Sequence, residues 1–385
     1  MSKHILLLTY FFPPMRNGGV GRPWSFFRRL PDQGIDVTVL TTEANESLPP
    51  ELEKGRVLRL SFTPGTCYRD HKWEKEAFSA VMSLKKERKI DCVYATFPLA
   101  STLVVGSKIK RELGIPFIAE FRDGLTLESL FPMYEKIRKR AEALEEDVFR
   151  EADRIVAVTS GAAEMYREKY GRPVHKIYNG FDPEDFRLVG KRKTPDSRHD
   201  MVLFGSILAS RSTEKRTYSY LNFLGALKVL KEKGFIHKEN FSLSFIGRSV
   251  PDERDLVKQF KLTEFINFFA PMPKEEGLAW MASSFDSLLE YGSPGDNSVV
   301  CGKLLEYINL GMPIFGVCKG SESEDIISRT RTGLVCGFGL EEVANGLIRF
   351  LQGDYDFDPD REEIEKFNRV GLTVQVAEVI KAVCP

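Results

Sequence analysis

Residues 285–317 read FDSLLEYGSPGDNSVVCGKLLEYINLGMPIFGV. This stretch predicts a strand at 285–290, a loop rich in glycine and serine, a helix at 300–310 and a second strand at 313–317. Elements that alternate in this order imply a parallel sheet, because two parallel strands need a crossover connection, which is usually a helix. The stretch is therefore predicted to be one β–α–β unit of an α/β domain.

The same alternation extends on both sides of that unit and also fills the first half of the chain. In the second half, the predicted strands are 201–204, 241–246, 265–268, 285–290, 313–317 and one near Leu334, and the predicted helices are 218–233, 252–260, 274–283 and 300–310. In the first half, the predicted strands are 4–10, 36–41, 91–95, 116–120, 154–159 and 176–178, and the predicted helices are 23–30, 73–89, 101–113, 134–152 and 160–170. The first-half strands are rich in Ile, Val and Leu with little alternation, as expected of strands covered on both faces.

A polar and charged segment separates the two halves. Residues 190–200 read GKRKTPDSRHD, a composition typical of a linker. We therefore predict an α/β protein with two tandem Rossmann-like doubly wound domains, at 1–190 and 201–359, joined by a linker at 191–200. A helical segment is predicted at 360–385.

The composition excludes several classes of protein. The formal net charge is zero, which argues against a nucleic-acid-binding protein, because phosphate contacts need a surplus of Lys and Arg. The six cysteines form no C-x-x-C pair and the five histidines form no H-E-x-x-H motif, so neither a metal nor another cofactor is predicted. Scattered cysteines, no signal peptide and no apolar run of about 18 residues predict a cytoplasmic protein.

The first candidate site follows the first strand, because ligands of open parallel sheets bind outside the carboxyl ends of the strands. Residues 13–23 read PPMRNGGVGRP, in which Gly18 and Gly19 allow a close backbone approach to a ligand just before a helix begins. The segment matches neither the G-x-G-x-x-G fingerprint nor the P-loop. A glycine-rich turn of purely steric origin is the alternative interpretation.

A second candidate follows the strand at 116–120. The sequence EFRDG places Arg122 and Asp123 at the end of that strand, where three charged groups suit a polar site. The alternative is an Arg122–Asp123 ion pair at the surface, which contributes little to stability.

A third candidate follows the first strand of the second half. That strand ends at Gly205, and the cations Arg211, Lys215 and Arg216 come after it. Glycine followed by cations suits a diphosphate, since arginine binds phosphate oxygens with two parallel hydrogen bonds. A solvated run of charges is the alternative interpretation.

The most informative candidate is the loop that leads into the helix at 300–310. This loop contains Asn297 and Ser298, and the helix would present its first backbone N–H groups and the positive end of its dipole to a ligand. Glu306, one turn inside the helix, is placed to accept hydrogen bonds from ribose hydroxyls, and Lys303 adds positive charge nearby. For Glu306 the alternative is a solvated helix face.

These segments, in this order, resemble the retaining glycosyltransferases of the group 1 family, which is family four of the carbohydrate-enzyme classification and has the GT-B fold. The similar segments are FFPPMRNGGVGRPWSFFRRL, AEFRDG (an "FRD" variant of the acceptor-side motif), ADRIVAVTSGAAEMYREKYG, KIYNGFDPEDF and GKLLEYINLGMPIFGV. The resemblance covers nearly the whole chain. It implies metal-independent transfer of a sugar, with retention, from a nucleotide diphosphate sugar to a glycan, lipid-linked or small-molecule acceptor. It also implies that the C-terminal helix crosses back to the N-terminal domain.

The resemblance implies roles for individual residues of the second half. Glu306 matches the glutamate that binds the ribose of the donor, and Lys303 and Leu304 fall on the adjoining nucleotide-binding segment. Arg211 matches the arginine that binds the diphosphate and stabilises its charge during catalysis.

Further roles are implied for five other residues. Lys215 or Arg216 corresponds to the partner lysine of that arginine. Gly18 and Gly19 match the glycines that face the diphosphate from the first domain, and Asp123 falls at the catalytic acceptor-side position, which is usually a histidine or aspartate.

One departure from the family pattern leaves other functions open. The family motif is Glu-x7-Glu, whereas Ser298 stands eight positions before Glu306. A non-catalytic partner subunit that binds a nucleotide sugar is therefore one alternative. A nucleotide-sugar 2-epimerase of the same fold is another, although it needs acid–base groups and the first half offers Glu120 and Asp123 as the obvious pair.

Basic residues cluster on predicted helices of the first half, at 85–89, 108–111 and 136–140. Such clusters are attracted to anionic membrane surfaces, which predicts peripheral contact with the inner face of the membrane as one interpretation. Solvated helix faces are the alternative, because glutamates lie between these basic residues.

Overall fold

The structure is a computed structural model, and it shows two compact units. It describes residues 2–15, 17–43, 56–63, 68–127, 135–187, 189, 198–205, 207, 214–292 and 297–384. The first unit comprises Met1–Glu128, Pro132–Asn179 and Arg369–Pro385, and the second comprises Gly180–Asn368. The units therefore divide at Asn179, earlier than the sequence suggested, and residues 191–197 of the predicted linker lie outside the described residues.

The first unit is built on a seven-stranded parallel sheet in the order β3-β2-β1-β4-β5-β6-β7. Its strands are β1 Lys3–Leu8, β2 Ile35–Thr42, β3 Val57–Leu60, β4 Cys92–Phe97, β5 Phe117–Phe121, β6 Arg154–Ala157 and β7 Val174–Lys176. Its helices, apart from the C-terminal one, are α1 Gly21–Arg29, α2 His71–Glu87, α3 Ala100–Leu113, α4 Glu135–Glu151 and α5 Ser160–Tyr170. The strand order reverses between β1 and β4, where Ile5 lies opposite Cys92.

The core of the first unit explains why its strands read as continuous apolar runs. Ile5, Leu6, Leu7 and Leu8 are fully buried, because helices cover both faces of β1. Each such side chain contributes about 1.5–3 kcal/mol to stability when it leaves water. Asp70 fixes the start of α2, since its carboxylate accepts hydrogen bonds from two amides of the first turn, both at 3.1 Å.

The second unit repeats this architecture with six parallel strands in the order β10-β9-β8-β11-β12-β13. The strands are β8 His199–Phe204, β9 Phe241–Ile246, β10 Ile266–Phe269, β11 Ser287–Tyr291, β12 Ile314–Val317 and β13 Gly333–Cys336. The helices are α6 Glu214–Glu232, α7 Pro251–Gln259, α8 Lys274–Ser284, α9 Gly302–Leu310, α10 Glu322–Thr330, α11 Leu340–Leu351 and α12 Arg361–Glu365. The order reverses between β8 and β11, which makes the carboxyl ends of those two strands the place where a ligand is expected.

The C-terminal helix α13, Arg369–Lys381, belongs to the first unit and packs against α1. The side chain of Arg369 donates from Nε to the carbonyl oxygen of Asn179 at 3.0 Å. The predicted single helical segment at 360–385 is therefore two helices, one in each unit, with a break at Lys366 to Asn368.

The predicted fold class of two Rossmann-like doubly wound domains is confirmed. Strand β3 and helices α10 and α11 were not predicted, and α9 begins at Gly302, later than the predicted start at 300. Among the helices that the structure describes, none is long and apolar enough to cross a membrane.

Candidate functional site

The candidate site of the second unit lies where its strand order reverses, at the carboxyl ends of β8 and β11. The turn after β8 is built from glycine, because Gly205 has a φ of 142° and a Cβ at Gly247 would lie 3.2 Å from the Cα of Gly205. Farther along the same loop, the amide of Ile207 donates to Oε1 of the fully buried Glu253 at 3.0 Å. Gly205 and Ile207, the two described residues of this loop, are thus held by contacts with Gly247 and Glu253.

Helix α9 is fixed against the end of β8 by two of its own side chains. The hydroxyl of Tyr307, which is buried, accepts a hydrogen bond from the amide of Phe204 at 2.7 Å. The ammonium of Lys303 lies 4.5 Å from the centroid of the Phe204 ring. The helix starts after Cys301 without a side-chain cap, so its first amides and the positive end of its dipole are available to an anion.

Glu306 is the centre of a charged network on α9. Its Oε1 lies 2.7 Å from Nζ of Lys274, and its Oε2 lies 3.2 Å from Nζ of Lys303. Lys274 also contacts Oδ2 of Asp185 at 2.5 Å. The Glu306 side chain is 8% exposed and the two lysines are 30% exposed, so the carboxylate is held in place while the ammonium groups still reach solvent.

Lys274 and Asp185 were missed by the sequence analysis. Lys274 is the first residue of α8, where a cation is unfavourable because the helix dipole is positive there. That position is a signal that could have singled it out. Asp185 carries no comparable signal, because it lies in a short 3-10 turn, Pro183–Phe186, far from Glu306 in sequence.

The remaining predicted residues of the second unit fall into three groups. Asn297 is exposed and Ser298 is buried, both in the segment before α9. Leu304 has a fully buried side chain, and its amide donates to the carbonyl of Cys301 at 3.0 Å. The third group lies outside the described residues and comprises Arg211 and the side chains of Lys215 and Arg216, whose backbone begins α6.

The glycine turn of the first unit connects β1 to α1. The amide of Gly19 donates to Oδ1 of Asn17 at 2.9 Å, and its carbonyl accepts from Nη1 of Arg122 at 2.7 Å. A Cβ at Gly19 would lie 2.6 Å from Cδ2 of Phe11, whereas a Cβ at Gly18 would meet nothing within 4 Å. The steric interpretation of this turn therefore holds for Gly19 and does not hold for Gly18.

The two glycines give a matched pair of substitutions. Gly19→Ala is expected to lower the free energy of unfolding by about 1–3 kcal/mol, because the new methyl group collides with the Phe11 ring. Gly18→Ala is expected to change it by less than about 0.5 kcal/mol. Urea denaturation followed by circular dichroism measures both, and equal effects of the two substitutions would contradict the geometry of the turn.

A buried ion pair joins the first turn of α1 to β5. Arg22 lies 2.8 Å from Oε1 of Glu120, and both side chains are almost fully buried. The hydroxyls of Tyr94 and Thr96 donate to the same carboxylate at 2.5 and 2.6 Å. Burial alone would raise the pKa of Glu120, but the Arg22 guanidinium and these hydrogen bonds hold it below its usual value.

Arg122 and Asp123 follow β5, as predicted, but they do not form the surface ion pair that was the alternative interpretation. Arg122 is 8% exposed, and its Nε donates to the carbonyl of Phe97 at 2.9 Å, while its Nη1 donates to Gly19. The guanidinium therefore ties the ends of β4 and β5 to the glycine turn. Asp123 is half-buried beside it.

Several basic residues of the stretches at 85–89 and 108–111 are paired with carboxylates. Ion pairs join Arg88 to Asp36, Lys110 to Asp153 and Arg111 to Asp147, at 2.5, 2.8 and 2.9 Å. This pairing favours the interpretation of these basic stretches as solvated helix faces over their interpretation as a membrane-binding surface. In the described ranges, no group of three or more His, Cys, Asp or Glu side chains is arranged to hold a metal ion.

Comparisons with known proteins agree with this geometry. A family model described as Glycosyltransferase Family 4 matches residues 17–185, which include the glycine turn and Arg122. A search of curated proteins gives no match.

Solved structures share the fold of the whole chain. A glycosyltransferase from Rickettsia africae is 14% identical with a TM-score of 0.66, and the match covers 99% of this chain and 98% of that one. HepE from Anabaena, in complex with UDP-glucose, is 14% identical with a TM-score of 0.63, and the match covers 98% and 99%. A UDP-N-acetylglucosamine 2-epimerase is 14% identical with a TM-score of 0.55, and the match covers 98% and 95%. The fold is thus the GT-B fold of two Rossmann-like domains.

Proposed function

We propose that this protein is a metal-independent glycosyltransferase. It would move a sugar from a nucleotide diphosphate sugar to a glycan, lipid-linked or small-molecule acceptor, with retention of configuration at the anomeric carbon. The observation that carries the proposal is the position of Glu306, flanked by Lys274 and Lys303, at the reversal of strand order in the second unit. The family model and the shared fold support it.

The charged network suits the nucleotide half of such a donor. The ribose hydroxyls would donate to the Glu306 carboxylate, which is almost buried and already oriented by two lysines. Lys303 is the more loosely held of the two ammonium groups, at 3.2 Å, and it would turn from Glu306 to a phosphate oxygen. The first amides of α9 would bind the same diphosphate, since a helix N-terminus attracts anions.

Departure of the nucleoside diphosphate builds negative charge on its terminal phosphate while the sugar becomes positively charged. Lys303, the α9 dipole and the cations Arg211, Lys215 and Arg216 would stabilise that charge, which is electrostatic stabilisation of the transition state. In the first unit, Asp123 would accept a hydrogen bond from the acceptor hydroxyl. Ser298, in place of the first glutamate of the family motif, would contact the sugar through a hydroxyl.

Glu120 argues against the epimerase alternative. An epimerase needs groups that exchange protons with the substrate, and the sequence offered Glu120 and Asp123 as a pair. Glu120 is fully buried, bonded to Arg22 and two hydroxyls, and has a lowered pKa, so it is neither accessible nor ready to take up a proton. Of the pair that the sequence offered, Asp123 alone is then left to exchange protons with a substrate.

The test is a panel of nucleotide diphosphate sugars, each incubated with and without acceptors in the presence of EDTA. Release of the nucleoside diphosphate that depends on an acceptor, with a product of unchanged anomeric configuration by NMR, is the expected result. Conversion of UDP-N-acetylglucosamine to its 2-epimer without an acceptor would favour the epimerase. Donor binding without turnover across the acceptor panel would favour a partner subunit.

A further inference from the structure

The segment that carries Asp123 in the first unit is held in place by side chains. Residues 122–127, which follow β5, form neither a helix nor a strand. Such a segment keeps one position only where other parts of the fold hold it. On one side of Asp123, the guanidinium of Arg122 is bonded to the carbonyl oxygens of Phe97 and Gly19. On the other side, the contacts converge on one buried carboxylate.

That carboxylate belongs to Glu145, which lies on α4 and is fully buried. Thr126 donates to it twice, from its backbone amide to Oε2 at 3.1 Å and from its hydroxyl to Oε1 at 2.6 Å. The neighbouring amide of Leu125 donates to the hydroxyl of Tyr166, on α5, at 3.2 Å. Two successive amides of the segment are therefore fixed by side chains of α4 and α5.

Helix α5 supplies further donors to the same carboxylate. Lys169 and Tyr170 donate to Oε1, both at 2.7 Å, and Tyr166 donates to Oε2 at 3.4 Å. These three residues share one face of α5, because positions three and four apart are neighbours on a helix. Burial and the Glu145 carboxylate raise the pKa of Tyr170, so its hydroxyl keeps its proton and remains a donor.

The bonds to Glu145 have two separate effects. A buried carboxylate is costly unless hydrogen bonds and a cation offset the loss of water. The contacts from α5 already reach both oxygens of Glu145 and so meet this requirement. The two bonds from Thr126 add something else, because they attach the segment to α4 three residues after Asp123.

We propose that Glu145 and Thr126 are positioning residues for sugar transfer, because the bonds between them hold Asp123 where it meets the acceptor hydroxyl. The inference rests on the proposed function, which gives Asp123 that role, and adds two residues that act through Asp123. A displacement of about 1 Å at a reacting group can lower turnover about 100-fold. Loss of the Thr126 hydroxyl should therefore lower turnover and leave the affinity for the donor, which the second unit would bind, unchanged.

Three substitutions separate positioning from support of the fold. Thr126→Val keeps the shape of the side chain and removes the hydroxyl bonded to Glu145, and Thr126→Ser restores that hydroxyl. Tyr170→Phe is the matched control. It removes a bond of similar length to the same oxygen from outside the segment, and it keeps the ring that stacks on Phe149.

Steady-state transfer is measured with the donor and acceptor that the panel identifies. Thr126→Val is expected to lower kcat about 10- to 100-fold with an unchanged KM for the donor, and Thr126→Ser should recover most of the turnover. Tyr170→Phe should lower the unfolding temperature as much as Thr126→Val does, by about 1–3 °C, and leave kcat unchanged. Equal losses of kcat in Thr126→Val and Tyr170→Phe, or no loss in Thr126→Val, would overturn the inference.

A double-substitution cycle tests whether Thr126 acts through Asp123. Asp123→Asn alone should lower kcat, and adding Thr126→Val should cause no further loss, because the carboxylate that the bond positions is already absent. A full additional loss in the double variant would show that Thr126 acts elsewhere and would overturn the inference. An unchanged kcat in Asp123→Asn would remove Asp123 from the reaction, and the inference with it.

Hydrogen exchange of the peptide that covers residues 122–127 tests the attachment without any substrate. Thr126→Val and Glu145→Gln are expected to raise its exchange rate about tenfold, and Tyr170→Phe should leave it unchanged. Unchanged exchange in both Thr126→Val and Glu145→Gln would overturn the inference even if the protein transfers sugar. If no donor and acceptor pair gives turnover, the proposed function fails together with the role in transfer, whereas faster exchange confined to this peptide would still establish the attachment.

Discussion

Glu306→Gln is expected to weaken the binding of ribonucleoside diphosphates by about 10- to 100-fold, or about 1.4–3 kcal/mol. The substitution keeps the size of the side chain and removes its charge, so the hydrogen bonds from the ribose hydroxyls weaken. It also frees Lys274 and Lys303 from the carboxylate that now holds them, at 2.7 and 3.2 Å. The lost binding free energy should therefore come from contacts with the ribose and not from contacts with the diphosphate.

Calorimetry with two ligands tests that distinction. The unsubstituted protein should bind a ribonucleoside diphosphate more tightly than its 2′,3′-dideoxy analogue, and this preference should be much smaller in Glu306→Gln. Pyrophosphate binding should be unchanged or stronger in the variant. Glu276→Gln is the matched control, because Glu276 is an exposed residue of α8 close in sequence to Lys274. A ribose preference that is undiminished in Glu306→Gln would remove Glu306 from the site.

Glu120→Gln is expected to lower the free energy of unfolding by about 3–5 kcal/mol, because it leaves the Arg22 guanidinium buried without a counter-charge. Glu120 has a lowered pKa in the folded protein, so its stabilising effect is present above the pKa of the unfolded chain and is lost as the pH falls through the folded value. The difference between the unsubstituted protein and the variant should accordingly shrink in acid.

Urea denaturation at neutral and acidic pH measures this effect. Glu112→Gln is the control, since Glu112 forms an exposed pair with Lys108 at 3.8 Å and should contribute less than about 1 kcal/mol. Adding Arg22→Met to Glu120→Gln should recover part of the loss, because the buried charge is then removed as well. A loss below about 1 kcal/mol for Glu120→Gln would mean that water reaches the pair.

The fold could be predicted because alternating strands and helices leave a strong local pattern. Strand β3 was missed because it is four residues long and none of its residues is fully buried. Helix α11 did carry a signal, since Val343, Leu347 and Phe350 lie at helical spacing and are all buried. The division of the C-terminal segment between two units could not be predicted, because it depends on contacts such as that of Arg369 with Asn179.

The candidate site was predictable where its residues lie on one element. Lys303 and Glu306 are three positions apart on α9, so helical spacing alone places them together. Lys274 reaches the same carboxylate from α8, and no local pattern predicts that approach. The contact of Arg122 with Gly19 likewise spans 103 positions, so the sequence showed a charged strand end but could not show what the guanidinium holds.

The membership of α13 in the first unit has a consequence for how the chain folds during synthesis. All seven strands of that unit lie before Asn179, yet Arg369–Lys381 leaves the ribosome after the whole second unit has been made. The unit whose strands are made first is therefore completed only after the second unit, and the nascent chain must keep the surface of α1 uncovered until Arg369–Lys381 has been made. A premature stop codon after Asn368 would therefore leave the first unit without α13, whereas the second unit would be complete.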